Sequence, residues 1–273
     1  MTDVSKDSLH QLVLICTCEN EFSGNGYLCG WVDSDISYKD ECQAEELGKY
    51  LFEKKIQFDV VFTSYLKRAI KICHTILEQM NLHWIPVHKS WRLNARMYGM
   101  LEGCDKSKLV HLHGAEQIMS WTRKYDIAPP PLTQNSRVHP IFENKYELFA
   151  KSIIPDTECH RDVRKRVLPF WCDEIVPAIK EGNRVLIVAH ESVLRALIKY
   201  FDETSDNNIG DVDFTPCTTL VYEFNEHMRP IRFYYLKKDE QDKQPCNTLD
   251  PCSTTMLISD WLNVVNDKPM GVK

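Results

Sequence analysis

The first hydrophobic run of the chain is Leu12-Val13-Leu14-Ile15, and the polar stretch Cys16-Thr17-Cys18-Glu19 follows it directly. Four consecutive apolar residues, two of them β-branched, are typical of a strand that is buried on both faces. In an open α/β sheet, ligands bind beyond the carboxyl ends of the strands. The pattern therefore predicts a strand at residues 12–15 and places the first candidate chemistry at residues 16–19.

Five later segments combine apolar, β-branched and aromatic residues between polar turns, which is the pattern of further strands. They are residues 58–64, 84–87, 184–190, 218–224 and 231–236. Pro86 has no N–H to donate, so the strand that contains it is predicted to lie near an edge of the sheet.

Helical patterns separate most of these strands. Ser37, with Asp40 three residues later, predicts a capping box at the start of a helix that reaches about residue 55. Residues 66–80 carry apolar side chains at intervals of three and four, the period of one helix face. Shorter helices are predicted at residues 106–112 and 115–124, and another is marked by Val193, Leu194, Leu197 and Ile198.

A segment without a clear period follows Pro129-Pro130-Pro131, which excludes a helix at that point. Residues 132–155 are predicted to be irregular surface or a lid. A cap on Asp156 or Thr157 is then predicted to start a helix that reaches about residue 180 and bends near Pro169. Because strands and helices alternate, the strands are predicted to be parallel and joined by right-handed crossovers.

The composition is that of a globular protein. The chain has 273 residues, of which 43% are hydrophobic and 26% charged, and no long linker divides it. We predict an amino-terminal extension at residues 1–11, one domain at residues 12–236 and a largely irregular tail at residues 237–273. The tail begins with a run of charged residues, and its one ordered candidate is a short helix at residues 256–265.

The net charge and the cysteines limit the partners and the compartment. A formal charge of −6 argues against a nucleic-acid partner, although a local cationic pocket is compatible with it. The amino terminus lacks the apolar core of a signal peptide, and no run is long enough to span a membrane, so we expect a cytoplasmic protein. The 11 cysteines include no C-x-x-C pair, which favours reduced thiols and gives no basis for a metal site.

Three predicted strand ends carry polar side chains that could take part in binding or catalysis: residues 16–19, Ser64 with Arg68 beyond it, and His190. Five motifs accompany them: Gly30-Trp31-Val32-Asp33, Phe62-Thr63-Ser64 with Lys67-Arg68-Ala69-Ile70, Trp91-Arg92-Leu93-Asn94, Trp121-Thr122-Arg123-Lys124-Tyr125-Asp126 and Leu168-Pro169-Phe170-Trp171. With these motifs, residues 12–236 resemble a cofactor-dependent phosphoglycerate mutase of the histidine phosphatase superfamily. The resemblance implies a three-layer α/β/α sandwich around a mostly parallel sheet.

The same resemblance implies a glycolytic isomerase that interconverts 3- and 2-phosphoglycerate, with 2,3-bisphosphoglycerate as the donor of the phosphoryl group. In that family the first strand ends in Arg-His-Gly-Glu, and the histidine takes the phosphoryl group. The corresponding residues here are Cys16, Thr17, Cys18 and Glu19. A neutral imidazole is nucleophilic near pH 7, whereas a threonine hydroxyl needs an adjacent base and would form a poor phosphoryl donor.

Two further positions depart from the family pattern. The general acid and base is a glutamate in Arg-Leu-Asn-Glu-Arg-His-Tyr-Gly, and Ala95 stands in its place. The loss of such a group typically costs about 10²- to 10⁴-fold in rate. In the motif Ala-His-Gly-Asn-Ser the histidine is kept as His190, but Glu191 replaces the glycine and adds a negative charge where an anion should bind.

The resemblance thus assigns a catalytic set and a substrate-binding set. The catalytic positions are Thr17 and Ala95, both substituted, with His190 and Arg68. The substrate-binding positions are Cys16, Ser23, Cys29, Gly30, Arg96, Tyr98, Lys106, Thr122, Arg123, Glu191 and Ser192. Cys16 and Thr122 stand where the family has arginines, and each lost charge-assisted contact removes about 1.5–3 kcal/mol of binding.

Other interpretations of these residues stay open. A cysteine nucleophile would need a Cys-x5-Arg loop, which neither Cys16 nor Cys18 has, so buried thiols are the simpler interpretation. His190 could act alone, but the charge of Glu191 is expected to favour its protonated form. Arg68 could be a solvated residue at a helix start, although its motif favours an anion contact.

The leading hypothesis is a phosphoglycerate mutase homologue whose mutase turnover is absent or very low. One alternative is an enzyme with normal or residual mutase or phosphatase activity. Another is a non-catalytic protein that pairs with an active mutase subunit or binds a phosphorylated metabolite. By resemblance the ligand is a phosphorylated three-carbon acid, 2,3-bisphosphoglycerate binding is in doubt, and a homodimer or a heterodimer is plausible.

Overall fold

The computed structural model describes residues 10–17, 26–133, 135–136, 138–203, 205–206 and 214–236. Within them six strands form one sheet: β1 (His10–Cys16), β2 (Val60–Thr63), β3 (Val87–Lys89), β4 (Val185–Ala189), β5 (Thr219–Phe224) and β6 (Pro230–Leu236). The spatial order is β3-β2-β4-β1-β5-β6. The first four of these strands are parallel neighbours, while β5 and β6 join antiparallel at one side. The prediction of a mostly parallel sheet is confirmed.

Helices cover both faces of the sheet. The α-helices are α1 (Tyr38–Glu53), α2 (Lys67–Gln79), α3 (Lys106–His113), α4 (Ala115–Arg123), α5 (His160–Phe170), α6 (Val176–Lys180) and α7 (Glu191–Phe201). A π-helix, Trp171–Ile175, joins α5 to α6. Apolar residues of α1 and α2 pack on one face, and those of α5, α6 and α7 pack on the other. The three-layer α/β/α sandwich is therefore confirmed.

The alternation of side chains along β1 explains its continuous hydrophobic run. Leu12, Leu14 and Cys16 belong to the core beneath α5 and α7, whereas Val13 and Ile15 belong to the core beneath α1 and α2. Because both faces are buried, both sets of alternating positions are apolar. The strand begins at His10, two residues before the predicted run. No helix within the described residues has the length and hydropathy of a membrane span.

The predicted third strand is displaced along the chain. It was expected at residues 84–87, but β3 is Val87–Lys89, after Pro86. Ile85 packs in the core while Trp84 is 75% exposed, and the Ile85 N–H bonds the Leu82 carbonyl in a turn. The residues before Pro86 thus end a turn. Regular pairing with β2 begins at Val87, the first residue after Pro86 that has an N–H to donate. The expected edge position is confirmed.

The predicted caps of the long helix are wrong. Cys159 caps α5, and its N–H bonds the Asp162 carboxylate at 3.1 Å. The two predicted caps have tertiary partners instead. Asp156 lies 2.9 Å from the ring of His139, and the Thr157 hydroxyl donates to the Pro129 carbonyl at 2.8 Å.

Pro169 marks a change of helix type. The α-helix ends at the next residue and continues as the π-helix. A π-bulge accommodates the hydrogen bond that a proline inside a helix cannot donate. The capping box at Ser37, by contrast, is present as predicted.

Residues 132–155 were predicted to be irregular surface or a lid. The described part contains three single-turn 3₁₀ helices, Pro140–Phe142, Asn144–Tyr146 and Lys151–Ile153. Tyr146 and Ile154 are buried in a satellite core against Trp31 and Trp91. Packing on this cluster, rather than a regular period, orders the segment. The charged run at the start of the tail and the expected tail helix at residues 256–265 both lie outside the described residues.

A buried ion pair fixes the loop that follows β3. Arg166 of α5 donates to both carboxylate oxygens of Glu158, at 2.6 and 3.0 Å. Nη1 bonds the carbonyl of Arg92, and Nη2, which is shared with Glu158, bonds those of Asn94 and Ala95, at 2.6 to 2.9 Å. Glu158 also accepts the Met97 N–H at 2.9 Å. The pair therefore satisfies backbone groups of the loop that would otherwise be buried without partners.

Replacement of Arg166 with methionine should lower the free energy of unfolding by about 3–5 kcal/mol, because it leaves the Glu158 carboxylate buried without its cation. Urea denaturation followed by circular dichroism measures the change. Arg184→Met is a matched control, since Arg184 also pairs with a carboxylate through two nitrogens but is 50% exposed. We expect less than about 1 kcal/mol there. Equal losses in the two variants would contradict the role given to the buried pair.

Candidate active site

Three neighbouring parallel strands end at the same edge of the sheet and place one polar side chain each. Ser64 follows β2, His190 follows β4 and Thr17 follows β1. The register pairs Cys16 with Ala189 at the ends of β1 and β4. The Thr17 N–H then bonds the Ala189 carbonyl at 2.8 Å, which extends the ladder by one bond. The strand order thus sets the spatial order Ser64, His190, Thr17.

These three side chains form one hydrogen-bonded row. His190 Nε2 lies 2.9 Å from Ser64 Oγ, and His190 Nδ1 lies 3.2 Å from Thr17 Oγ1. The Leu66 N–H donates to Ser64 Oγ at 3.2 Å. Burial, together with the positive charges of Arg68 and Arg166, holds the pKa of His190 well below its usual value. The imidazole is therefore neutral at pH 7.

The position of the single ring proton follows from Ser64. Its oxygen is fully buried and accepts the Leu66 N–H, and within the described part of the chain His190 Nε2 is the acceptor to which its own proton can be donated. If Nε2 accepts from Ser64, the proton of the neutral ring is on Nδ1 and is donated to Thr17 Oγ1. Thr17 then receives a hydrogen bond from His190 and has no base to take its own proton.

Glu191 does not have the effect expected from the sequence. Its carboxylate forms an ion pair with Arg195, one helical turn further along α7. The expectation that Glu191 would keep His190 protonated is wrong, because its charge is balanced and burial dominates the pKa of the ring. The carboxylate still borders the space where an anion would bind.

A cavity of about 210 Å³ opens beside this row. Among the described residues that line it, the ones assigned from the sequence are Cys16, Thr17, Cys29, Arg68, Ala95, Arg96, Tyr98, Lys106, His190, Glu191 and Ser192. Arg195 is a further cationic residue of the lining. The described lining therefore contains four cationic side chains and one carboxylate, in a chain whose formal net charge is −6. Such a site favours an anionic ligand.

Arg68 is held at the cavity by the loop after residue 26. Its guanidinium donates to the carbonyls of Gly30 and Val32 at 2.6 and 3.1 Å. Glu102 fixes this loop, since its buried carboxylate accepts the N–H groups of Gly30, Trp31, Val32 and Tyr98. Burial raises the pKa of Glu102, and the four N–H donors oppose that change. Gly30 is required sterically, because a Cβ there would lie 2.1 Å from the Arg96 carbonyl oxygen.

The loop that carries Ala95 and Arg96 is fixed through its backbone. The Ala95 carbonyl accepts from the indole N–H of Trp31 at 2.7 Å and from Arg166 at 2.9 Å. The Arg96 N–H donates to Ser192 Oγ at 3.0 Å. The Arg96 guanidinium lies 4.5 Å from the centre of the Tyr98 ring. Residue 95 therefore lies at the cavity by backbone contacts that do not depend on its side chain.

Cys16 lines the cavity but is not an activated thiol. Burial, followed by the charge of Glu191, raises its pKa well above the usual value, so it is protonated at pH 7. The geometry favours the interpretation of Cys16 as a small buried side chain. Cys18 lies outside the described residues.

The structure does not bring every assigned residue to the cavity. Ser23 lies outside the described residues. The Thr122 hydroxyl donates to the Ile118 carbonyl of its own helix, and Arg123 borders a separate groove beside the turn between α3 and α4. Gly30 supports Arg68 from behind the lining.

Sequence reasoning missed three polar members of the described lining, Tyr27, Arg195 and His160. Arg195 could have been found, because it lies four residues after Glu191 and so shares its helix face. His160 carries no such signal. His160 bonds the Thr122 carbonyl, a contact that forms because the first residue of α5 lies beside the last turn of α4.

Comparison with solved structures finds the same fold in several phosphatases and a mutase. A mycobacterial glucosyl-3-phosphoglycerate phosphatase is 17% identical and superimposes with a TM-score of 0.61, covering 83% of this chain and 97% of that chain. A phosphoglycerate mutase from Bacillus anthracis is 16% identical with a TM-score of 0.59, covering 81% and 90%. An alpha-ribazole phosphatase from Shigella flexneri is 21% identical with a TM-score of 0.59, covering 81% and 94%.

The sequence profile of one family matches the described residues from Leu12 onward. Its description is histidine phosphatase superfamily (branch 1), and it matches residues 12–139 and 134–236. The matched residues include all six strands except the start of β1, and they include the row of Thr17, His190 and Ser64. The chain belongs to the histidine phosphatase superfamily.

Proposed function

We propose that this protein is a phosphoglycerate mutase-like member of the superfamily that binds a phosphorylated three-carbon acid without transferring its phosphoryl group. The observation that carries the proposal is Thr17, which occupies the end of β1 where the family resemblance places the nucleophilic histidine. Mutase turnover is absent or very low.

The surroundings of Thr17 support the loss of transfer chemistry. A threonine hydroxyl attacks phosphorus only when a base removes its proton. In the tautomer in which the buried Ser64 hydroxyl donates to Nε2, the proton of His190 is on Nδ1, and the ring donates to Thr17 instead of accepting from it. Ala95 supplies no carboxylate to move a proton at the leaving group. Nucleophile, base and acid are thus all missing from their places.

The cationic side chains of the cavity lining support the proposal that a phosphorylated acid still binds. Arg68, Arg96 and Lys106 are kept at the positions that the resemblance assigns to phosphate and carboxylate contacts, and all three line the cavity. The volume of about 210 Å³ is below the range of roughly 300–1,000 Å³ for drug-sized pockets, which suits a small metabolite. The names of two structural neighbours also refer to phosphoglycerate compounds.

The charges of the cavity lining can be compared with those of 2,3-bisphosphoglycerate, the phosphoryl donor that the resemblance implies. Its phosphates and carboxylate fit a site with four cationic side chains. The Glu191–Arg195 ion pair opposes this fit, because an incoming anion meets the Glu191 carboxylate and competes for Arg195. The residues present therefore fit binding of this compound better than its use as a phosphoryl donor.

Incubation with 2,3-bisphosphoglycerate should leave Thr17 unphosphorylated, because no group removes its proton. Intact-mass and peptide mass spectrometry follow the modification, and calorimetry with 3-phosphoglycerate follows binding. A stable phosphothreonine at position 17 would refute the loss of transfer. If neither compound binds, the proposed ligand class is wrong, and a non-catalytic subunit of an active mutase becomes the better hypothesis.

Restoration of the family residues should return measurable mutase activity. The variant combines Cys16→Arg, Thr17→His, Cys18→Gly, Ala95→Glu and Glu191→Gly. Single replacements should do almost nothing, since nucleophile and proton donor act as a unit and their effects are strongly non-additive. A coupled assay for 2-phosphoglycerate and detection of phosphohistidine provide the measurements.

The matched control for restoration is the same set without Thr17→His. It has every other restored residue but no imidazole nucleophile, so it should be inactive. A folded fivefold variant that forms no phosphohistidine at position 17 would show that the cavity itself differs from that of an active mutase.

The neutral state of His190 predicts a pH-dependent stability. Its pKa in the folded protein lies below the unfolded value of about 6.5, so only the unfolded chain takes up the proton between those values. The contribution of neutral His190 to the free energy of unfolding is therefore fully present above about pH 6.5. As the pH falls below that value, it is lost at up to about 1.4 kcal/mol per pH unit. Urea denaturation between pH 7 and 5 measures the slope.

His190→Asn should flatten this slope, whereas His111→Asn, which removes an exposed histidine, should leave it unchanged. His74 and His160, whose pKa values are also lowered by burial, stay in both variants and do not affect the comparison. Equal slopes in wild type and His190→Asn would mean that His190 takes up its proton in the folded protein as easily as in the unfolded chain.

A further inference from the structure

One residue of the cavity lining has a charge opposite to that of its neighbours. Among the described lining residues Glu191 is the carboxylate, and the cationic ones are Arg68, Arg96, Lys106 and Arg195. A carboxylate in an anion site repels every ligand whose charged groups are all negative. Because specificity comes from repulsion as well as from attraction, such a residue discriminates among ligands that the cationic side chains alone would accept.

Glu191 lies at the strand ends, beside the row of Thr17, His190 and Ser64. It is the first residue of α7 and directly follows His190. Its charge raises the pKa of the Cys16 thiol, so the carboxylate is also close to the end of β1. A ligand that approaches these two strand ends therefore meets the field of Glu191.

The carboxylate is more accessible than the guanidinium with which it pairs. The Glu191 side chain is 42% exposed, whereas that of Arg195 is 8% exposed. A carboxylate has two oxygens with about four lone-pair sites, and a single guanidinium does not fill them. The ion pair thus leaves Glu191 able to accept a hydrogen bond from a donor group of a ligand.

The other charged side chains of the lining suit an anionic group. Arg68 and Arg96 each donate to two backbone carbonyl oxygens. A carbonyl oxygen has no net charge, so these bonds hold the guanidinium groups in place without cancelling their charge. The lining therefore combines cationic side chains held by the backbone with one accessible carboxylate.

A ligand that matches this lining has a cationic group in addition to its anionic ones. An ammonium group has three N–H donors and a full positive charge, whereas a hydroxyl group has one donor and no charge. We infer that Glu191 makes the cavity selective for a phosphate ester that also carries an ammonium group, as phosphorylated amino acids do. The phosphate binds the cationic side chains, and the ammonium group donates to Glu191.

This inference rests on the proposed function, because it specifies the class of phosphorylated acid that the cavity takes. It also gives a role to a residue that the family resemblance treats only as the replacement of a glycine. With 3-phosphoglycerate, by contrast, all the charged groups of the ligand are negative, and the repulsion by Glu191 is not compensated.

The test compares 3-phosphoglycerate with both enantiomers of O-phosphoserine, which replace its hydroxyl by an ammonium group on the same carbon skeleton. Isothermal calorimetry at pH 7 with the full chain should show at least about fivefold tighter binding of one phosphoserine enantiomer. In Glu191→Gln this preference should fall below about twofold, because attraction of the ammonium group and repulsion of 3-phosphoglycerate are removed together. Glu191→Ala serves the same purpose if the glutamine variant does not fold.

Glu45→Gln is the matched control. Glu45 also pairs with a cation four residues away, Lys49, and its side chain is also 42% exposed. It belongs to α1 and is not among the described residues that line the cavity. This variant should keep the preference of the wild type, so a loss confined to the Glu191 variants cannot come from the removal of an exposed carboxylate in general.

The outcomes separate the two proposals. Equal affinity of the wild type for the compounds, or tighter binding of 3-phosphoglycerate, would overturn the selectivity and leave the proposed function intact. A preference for O-phosphoserine that persists in a folded Glu191 variant would equally overturn it, because the ammonium group would then bind elsewhere. Absence of binding by all the compounds would overturn the proposed function, and the selectivity with it.

Discussion

The buried guanidinium of Arg166 is the contact on which the candidate site depends most. It joins α5 to the loop of residues 92–97 through Glu158 and through three backbone carbonyls. The same charge contributes to the low pKa of His190. One side chain thus sets both the path of the chain at position 95 and the protonation of the ring at the end of β4. A change at Arg166 would affect the chemistry of the cavity although Arg166 does not line it.

Under the proposed function, the site keeps the strand-end geometry of the superfamily without the groups that would transfer a phosphoryl group. The row of Thr17, His190 and Ser64 is a consequence of strand register, since each residue follows a neighbouring parallel strand. Register is insensitive to which side chain occupies the last position. The strand ends therefore place residue 17 beside His190 whether its side chain is a hydroxyl, as here, or the imidazole that the family resemblance implies.

Much of the fold could be predicted from hydrophobic period and capping residues. The continuous run at residues 12–15 predicted a strand buried on both faces, and Ser37 with Asp40 predicted the start of α1. The errors have tertiary causes. Asp156 and Thr157 look like helix caps in the sequence, but His139 and the Pro129 carbonyl take their side chains. At the site, the strand ends could be placed by pattern, whereas the bond of His160 to the backbone of residue 122 depends on how α5 lies beside α4. Glu191 was misjudged because its partner Arg195 neutralises it, a pairing visible in the spacing of four.

Glu102 has a further consequence for ligands. Its carboxylate ties the backbone of residues 30–32 to that of Tyr98, two segments about the cavity that are far apart in sequence. Four N–H groups converge on one side chain, so the part of the cavity wall that Cys29 and Tyr98 form is held in place before a ligand binds. Binding to a pre-organised wall loses little conformational entropy, and small molecules gain affinity chiefly when that loss is small. A compact ligand that contacts Cys29 and Tyr98 therefore meets a surface that the Glu102 carboxylate already holds in place.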